Sequence, residues 1–457
     1  MAYCILKPYK LKVDPYVIFE AFANRRNCFF LDSSLKPNVN TGRYSFLGFE
    51  PFLIFKSDNQ DPFYKLRDLL DRYKISFDRA GIPFLGGAVG YFGYEVGFSL
   101  EDKIRMRPKP GIKIPDCLFS FYNSAVIIDH LKKQLYIVST GHPEKKHSLQ
   151  KLLARDNFKK IHALLSSMPQ KLGTSGFRAP KSRPAEITSN FTKDDYLRAV
   201  KRAKGYIKRG DIYQVNLTQQ FRAISSRPAT DIYRALRNIN PTHFGVYFDA
   251  GDFHILSSSP ERFIKLENKI VTTSPMKGTR PRSKNIYKDK QLQRQLASSQ
   301  KDKAELLMIV DLERNDLGRV CDYKSIKVDT HRQIEKYNTV FQTTSTISGR
   351  LHKDKDRIDL LRACFPGGSI TGCPKIRAMQ IIDELEPDKR SIYTGCLGYF
   401  SFSGNMDFNI LIRTILKKQK QLYFGSGGGI VADSVPISEY NEVLVKAKAM
   451  MKAIGNQ

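Results

Sequence analysis

Apolar residues in the first third of the chain come in short runs broken by turn residues. CFFLDSS, RYSFLGFEPFLIFKS and the glycine-punctuated GGAVGYFGYEVG at 86–97 have this form, which predicts strands. A polar stretch rich in Ser, Pro, Lys and Gly follows, QKLGTSGFRAPKSRPAEITS at 170–189, and predicts a connection over the surface. Beyond it the period changes. DDYLRAVKRAKGYIKRG repeats its apolar positions at helical spacing, whereas IYQVNLTQQF sets Val215, Leu217 and Phe221 on one parity and Gln214, Asn216 and Thr218 on the other, as in a strand with one buried face. Strands joined sometimes directly and sometimes through helices, without internal repeats, predict an α+β fold rather than a regular doubly wound sheet. The expected boundaries are 1–165 for a strand-rich N-terminal part, 166–189 for a linker and 190–457 for the remainder.

Composition narrows this picture. The chain has 457 residues, 41% hydrophobic and 11% aromatic, enough for a sizeable core. Its formal charge of +30 would steer anions. No basic stripe interleaved with aromatics, helix-turn-helix pattern or zinc spacing accompanies the charge, so a solvated lysine-rich surface is the expectation and nucleic acid is not an expected partner. Seven scattered cysteines with no C-x-x-C pair argue against a disulfide framework. The N-terminal MAYCILKPYKLKVDPY is interrupted by Lys7, Lys10 and Lys12, and no apolar stretch is long enough to span a bilayer. A soluble cytoplasmic protein is expected.

Three features could carry chemistry. PISEYNEVLVKAKAMMKAI begins a helix near Pro436 and Ser438 and places Glu439, Glu442 and Lys446 on one face. KDKAELLMIVDLERNDL places Asp302 and Glu305 one turn apart on another helix. Each pair alone could be a dipole complement, but two such helices brought together would make an oxygen site for a hard cation such as Mg²⁺. Glycine-dense turns come next: FGSGGGIVADS at 424–434, and FPGGSITGCPKIRAMQIIDELEP at 365–387, which opens a helix near Pro374. Free N–H groups at such turns suit a small, multiply anionic ligand. Finally, TTSPMKGTRPR at 272–282 holds Lys277 between a Pro-Met and a Gly-Thr pair. A lone lysine there would ordinarily be a solvated surface charge.

The order of these blocks carries a resemblance. GDIYQVNLTQQF, SSSPERF, SPMKGTRPR, KAELLMIVDLERNDLGRV, FPGGSITGCPKIRAM, FNILIRT and FGSGGGIVADSVPISEYNEVLVKAKAM together resemble the chorismate-utilising enzymes over roughly 185–455, with a looser likeness through FFLDSS, GRYSFLGFEP and GGAVGYFGYE. The resemblance implies a large α/β sandwich of two packed antiparallel-rich sheets flanked by helices, to which both parts contribute as one compact unit. It implies Mg²⁺ coordination centred on Glu305 and Glu442, with Asp302 and Glu439 nearby. It also implies substrate contacts from Tyr399, Arg413, Thr371, Gly372, Gly427, Gly428, Gly429 and Lys446, with Arg413 holding a carboxylate bidentately. Glu261 of SSSPERF is the implied general acid; read without the resemblance, it would be a salt-bridge partner of Arg262.

Two positions sort the family's branches. Isochorismate and salicylate synthases activate water with a lysine where this chain has Gln214, which implies an ammonia user. Anthranilate synthases place a small residue where this chain has Lys277, whereas those making 4-amino-4-deoxychorismate carry lysine in P-I-K-G-T; here it reads Pro275, Met276, Lys277, Gly278, Thr279. The resemblance therefore implies an aminodeoxychorismate synthase component I, in which Lys277 bonds transiently to the ring and a separate glutamine amidotransferase subunit supplies ammonia. Gln342 stands where many members have His, and an orienting role is expected of it. The alternatives are an anthranilate synthase component I and a non-catalytic, basic, nucleic-acid-associated protein of the same fold.

Overall fold

A computed structural model describes residues 3–37, 41–58, 60–76, 81–101, 104–168, 186–337 and 340–455. Among these residues, two large antiparallel sheets, of twelve and ten strands, are flanked by helices. The division expected near residue 165 does not run between the sheets. In the larger sheet Phe29–Asp32 pairs with Phe244–Asp249, and in the smaller one Gly87–Phe92 pairs with Cys396–Ser401, so each sheet is completed by both parts of the chain. The end of the expected linker is itself a strand: Ile187–Ser189 pairs with Gln214–Ile224, while 169–185 lie outside the described residues.

Aromatic rings fill the space between the sheets. Phe29 packs edge-on to Tyr122 at 4.6 Å between centroids, and Phe46 and Phe84 meet at 5.6 Å. All four side chains are buried, which is where large apolar payloads and edge-to-face geometry contribute most.

The Gln214–Ile224 strand departs from its sequence pattern. Val215, Leu217 and Phe221 are buried as expected, but so are Gln214, Asn216 and Thr218. The strand is central to one end of the larger sheet, one place from the last strand, between Gln421–Ile430 on one side and the short Ile187–Ser189 and Gly372–Cys373 on the other, and the Lys375–Leu385 helix packs against it. Two of these polar residues have partners: Asn216 donates to the Ile370 carbonyl at 3.1 Å, and the Thr218 hydroxyl donates to Glu386 Oε1 at 2.9 Å.

Glu386 belongs to a buried ion pair. Arg390 donates from Nε to Glu386 Oε2 at 2.8 Å and from Nη2 to Oε1 at 2.6 Å, a two-point contact with matched planar groups. The same guanidinium donates to the carbonyls of Ile370, at 2.9 Å, and Asn216, at 2.6 Å. Arg390 thus ties the glycine-rich 365–374 loop to the central strand. The Arg390→Met protein is expected to lose about 3–5 kcal/mol in denaturant unfolding, because Glu386 would be left buried without its counter-charge. Arg390→Lys should recover little of that, lacking the fork that reaches two carbonyls and a carboxylate together.

Candidate active site

Lys277 lies in the Met276–Pro281 strand, opposite Thr343, where the register slips by one residue before Thr279. Such a bulge re-aims the side chain beside it. Gly278 makes the slip possible: its φ is +70°, and a Cβ there would lie 2.9 Å from Leu296 Cδ1 and 3.0 Å from Asp302 Cγ. The Thr343 hydroxyl donates to the Lys277 carbonyl, fixing the backbone. The Lys277 ammonium then reaches inward and donates to the Ser369 carbonyl at 3.3 Å. Burial lowers its pKa, and Lys446 pushes the same way, against the pull of Glu305, Glu261 and Glu442.

Glu261 sits at the mouth of the Arg262–Glu267 strand and is 5% exposed. Its backbone is held at both ends, by its N–H to Ser259 Oγ at 3.3 Å and by its carbonyl to the Ile410 N–H at 3.1 Å. Burial raises its pKa, while a hydrogen bond from Ser369 and the charge of Lys277 oppose the rise. Arg262 turns to Asp407, 3.1 Å away, so the ion pair that a reading without the resemblance would give Glu261 is made elsewhere.

The two acidic helices do converge. They run Gln300–Gly318, whose N-terminus is capped by Ser299, and Pro436–Ala453. Lys301 Nζ stands between them, 3.8 Å from Glu305 Oε1 and 3.9 Å from Glu439 Oε1. Lys446 lies 2.8 Å from Glu442 and donates to the Gly427 carbonyl at 3.1 Å. These groups gather at Gly428, where a Cβ would come within 3.4 Å of Glu439 Oε2 and 4.0 Å of both Glu442 Oε1 and Lys446 Nζ. Gly428 therefore leaves the cluster open to a ligand. Burial raises the Glu305 pKa, whereas the Lys446 ammonium lowers that of Glu442. Asp302 pairs with Arg280 at 2.8 Å, and its charge still reaches Glu305, whose pKa it helps raise.

A hard divalent cation fits this donor chemistry. Glu305, Glu439 and Glu442 supply oxygen only, and ammonium groups already stand between them as cations. As the side chains stand, no three His, Cys, Asp or Glu residues among those described are close enough to hold a metal.

Arg413 holds a left-handed backbone, φ 51°, and donates from Nη1 to Asn240 Oδ1 at 3.0 Å. Asn240, which the sequence did not single out, is buried and donates in turn to the Ser258 carbonyl at 3.0 Å, fixing that orientation. Thr371 spends its hydroxyl on the Gly367 carbonyl at 2.9 Å, so it shapes the loop. Gly372, at φ +150°, lies so near the central strand that a Cβ would be 2.2 Å from the Gln214 carbonyl. Gln214 is fully buried beside Gly429, 3.1 Å from where a Cβ there would sit, and neither polar atom of its amide has a protein partner. Gln342 donates to Thr279 Oγ1 at 3.4 Å and leaves its own buried oxygen unpartnered.

Tyr399 is placed apart from these residues. Its ring meets Phe46 and Phe84 at 5.2 and 5.1 Å and lines a cavity of about 280 Å³ between the sheets, together with Asp32, Arg43, His243 and Arg262. Tyr393, six positions earlier, is the tyrosine beside the glycine strand: its ring would lie 2.3 Å from a Cβ on Gly425. Nothing in the SIYTG sequence marks it. Behind Glu261, the buried Thr273 hydroxyl lies 2.7 Å from the Phe263 carbonyl and 2.9 Å from Glu313 Oε2. In both contacts the hydroxyl is the donor, a three-centre arrangement in which one hydrogen is shared between two acceptors. Burial, with the nearby charge of Glu261, raises the Glu313 pKa well above its ordinary value.

Comparison with known proteins follows from this geometry. Residues 26–452 match the family described as chorismate binding enzyme. Anthranilate synthase component 1 of Acetivibrio thermocellus is 37% identical over 96% of this chain and 92% of its own length. Aminodeoxychorismate synthase component 1 of Bacillus subtilis is 34% identical over 92% of this chain and 91% of its own. Among solved structures, anthranilate synthase component I from Streptococcus pneumoniae superposes with a TM-score of 0.79 at 30% identity, covering 96% of this chain and 98% of that one.

The Thr273–Glu313 contact can be checked by stability. Glu313→Gln, which keeps an oxygen to accept from Thr273, is expected to melt within a degree or two of the parent. Glu313→Ala should lose about 0.5–1.5 kcal/mol in chemical unfolding, the worth of one hydrogen bond, since the Thr273 hydroxyl keeps the Phe263 carbonyl.

Proposed function

The chain belongs to the chorismate binding enzymes, and from that premise we propose that it is an aminodeoxychorismate synthase component I, converting chorismate and ammonia to 4-amino-4-deoxychorismate. The observation that carries this reading is Lys277, a desolvated amine held 3.3 Å from the Ser369 carbonyl, whose pKa responds to Glu261 and Glu305. A partly buried lysine whose pKa is lowered by desolvation is a competent nucleophile.

In this reading the neutral Lys277 amine attacks ring carbon C2. The ring double bonds shift, and the C4–O bond breaks as Glu261 gives its proton, so that the hydroxyl leaves as water. Ammonia then attacks C4, the double bonds shift back, and the Lys277 amine departs neutral. The new C4 ammonium returns one proton to the Glu261 carboxylate, which restores the starting state. Burial suits both groups, favouring uncharged lysine and protonated glutamate. Arg413, with its second edge free of Asn240, would take a substrate carboxylate, and the 427–429 glycines and Lys446 would lie along another. Glu305, Glu439 and Glu442 would hold Mg²⁺, which supplies charge neutralisation for a ring carboxylate. Asp302, turned to Arg280, would support the Lys277 strand instead. Ammonia would come from a separate glutamine amidotransferase subunit, and the setting would be cytoplasmic.

Anthranilate synthase component I is the second reading, favoured by the name carried by the 37%-identical relative. In that chemistry nitrogen enters at C2, the carbon Lys277 would occupy. Two measurements are decisive. Chromatography of the product from chorismate, Mg²⁺ and ammonium should give 4-amino-4-deoxychorismate; anthranilate would overturn the first reading. Intact-mass spectrometry with chorismate and Mg²⁺ but no ammonia should show an adduct of chorismate less water on the parent protein and none on Lys277→Ala. Glu261→Gln should lower kcat by about 10²–10⁴-fold while leaving chorismate binding nearly intact.

A further inference from the structure

Ser369 touches both reacting groups. It is 6% exposed, in the short turn Gly368–Ile370 of the glycine-rich loop. Its hydroxyl donates to Glu261 Oε1 at 2.7 Å, and its carbonyl accepts from Lys277 Nζ at 3.3 Å. The turn is immobilised on its far side, since the carbonyl of the next residue, Ile370, is held by Arg390 and Asn216. The Thr371 hydroxyl closes the loop on the Gly367 carbonyl. A residue so fixed keeps the acid and the amine at a constant separation.

We propose that Ser369 is a positioning residue for the amination: its hydroxyl occupies Glu261 Oε1 and so confines the acidic proton to Oε2, while its carbonyl aims the Lys277 amine. The reasoning is stereochemical. The serine hydroxyl has one hydrogen, and in donating it to Oε1 it makes that oxygen an acceptor. A protonated Glu261 then carries its hydrogen on Oε2, whose orientation is set by the buried backbone on either side. Without the serine the proton would partition between two oxygens, and only one of them would face the leaving hydroxyl. The carbonyl can accept from either the charged or the neutral amine, so it orients Lys277 without holding it protonated.

This inference rests on the reading of Glu261 as acid and Lys277 as nucleophile, and the test separates the two. The holoenzyme is assayed with Mg²⁺ at constant free ammonia, for the parent, Ser369→Ala and Ser369→Thr, with product identity and melting temperature recorded for each. Expected for Ser369→Ala are a fall in kcat of about 10–10²-fold, KM for chorismate within about twofold, and an unchanged melting temperature. The lost hydrogen bond favoured the carboxylate, so one inflection of the kcat–pH profile should move to higher pH while the other holds. Ser369→Thr, which keeps the hydroxyl, should restore both rate and profile. Unchanged kcat and profile in Ser369→Ala, or a Thr variant as slow as the Ala variant though equally stable, would overturn the assignment. Should the parent make anthranilate, the Lys277 reading fails, while the Ser369→Ala shift still decides whether the serine positions Glu261.

Discussion

The two-point ion pair between Arg390 and Glu386 is the contact on which the site depends. Both groups are buried, and their desolvation would be prohibitive were every donor and acceptor not used: Glu386 also accepts from the backbone and hydroxyl of Thr218, and Arg390 also reaches the carbonyls of Ile370 and Asn216. Through these contacts one guanidinium joins the central strand, the glycine-rich loop and the end of the helix behind it. The loop carries Ser369, Thr371 and Gly372, and the strand carries Gln214. Tyr94 covers the outer face of Arg390, 4.6 Å from its ring centre, and keeps water from the pair.

Around that anchor the charges are arranged by burial. Lys277 and Glu261 are driven towards their neutral forms by the same loss of solvent, the amine downward in pKa and the carboxyl upward. One environment therefore favours a neutral amine and a neutral carboxyl together, the forms that the proposed reaction requires. The surrounding carboxylates follow another logic. Glu442 is kept ionised by Lys446, while Lys301 bridges Glu305 and Glu439 across two helices. At 52% exposure Lys301 is a loose, solvent-screened partner, easily displaced by a stronger cation. Glu313, behind Glu261, accepts from Thr273, and burial together with the charge of Glu261 raises its pKa.

The cavity containing Tyr399 is a separate space. It lies between the sheets, with walls from Phe29–Asp32 and Phe244–Asp249 on one side and Cys396–Ser401 on the other. It is assembled from strands far apart in the chain, and Tyr399 enters it from the Cys396–Ser401 strand. Tyr399 lies in the Cys396–Ser401 strand, whereas Tyr393 belongs to the turn before it, so the two rings reach different places.

Much of this protein was legible in its sequence, and what was legible was local. Turn-bounded apolar runs marked the strands, Pro436 and Ser438 marked the start of a helix, and ordered blocks marked the family, because each depends on residues close together along the chain. The i, i+3 spacing placed Glu439 and Glu442 on one helical face for the same reason. What only tertiary structure decided was which faces meet. It brought Glu305 and Glu439 within reach of Lys301, turned Asp302 away to Arg280, buried both parities of the Gln214–Ile224 strand, and put Tyr393 rather than Tyr399 beside the glycines. Side-chain periodicity tells how a segment divides its two faces, but the neighbour that covers each face comes from elsewhere in the chain, and its identity is settled only when the sheets pack.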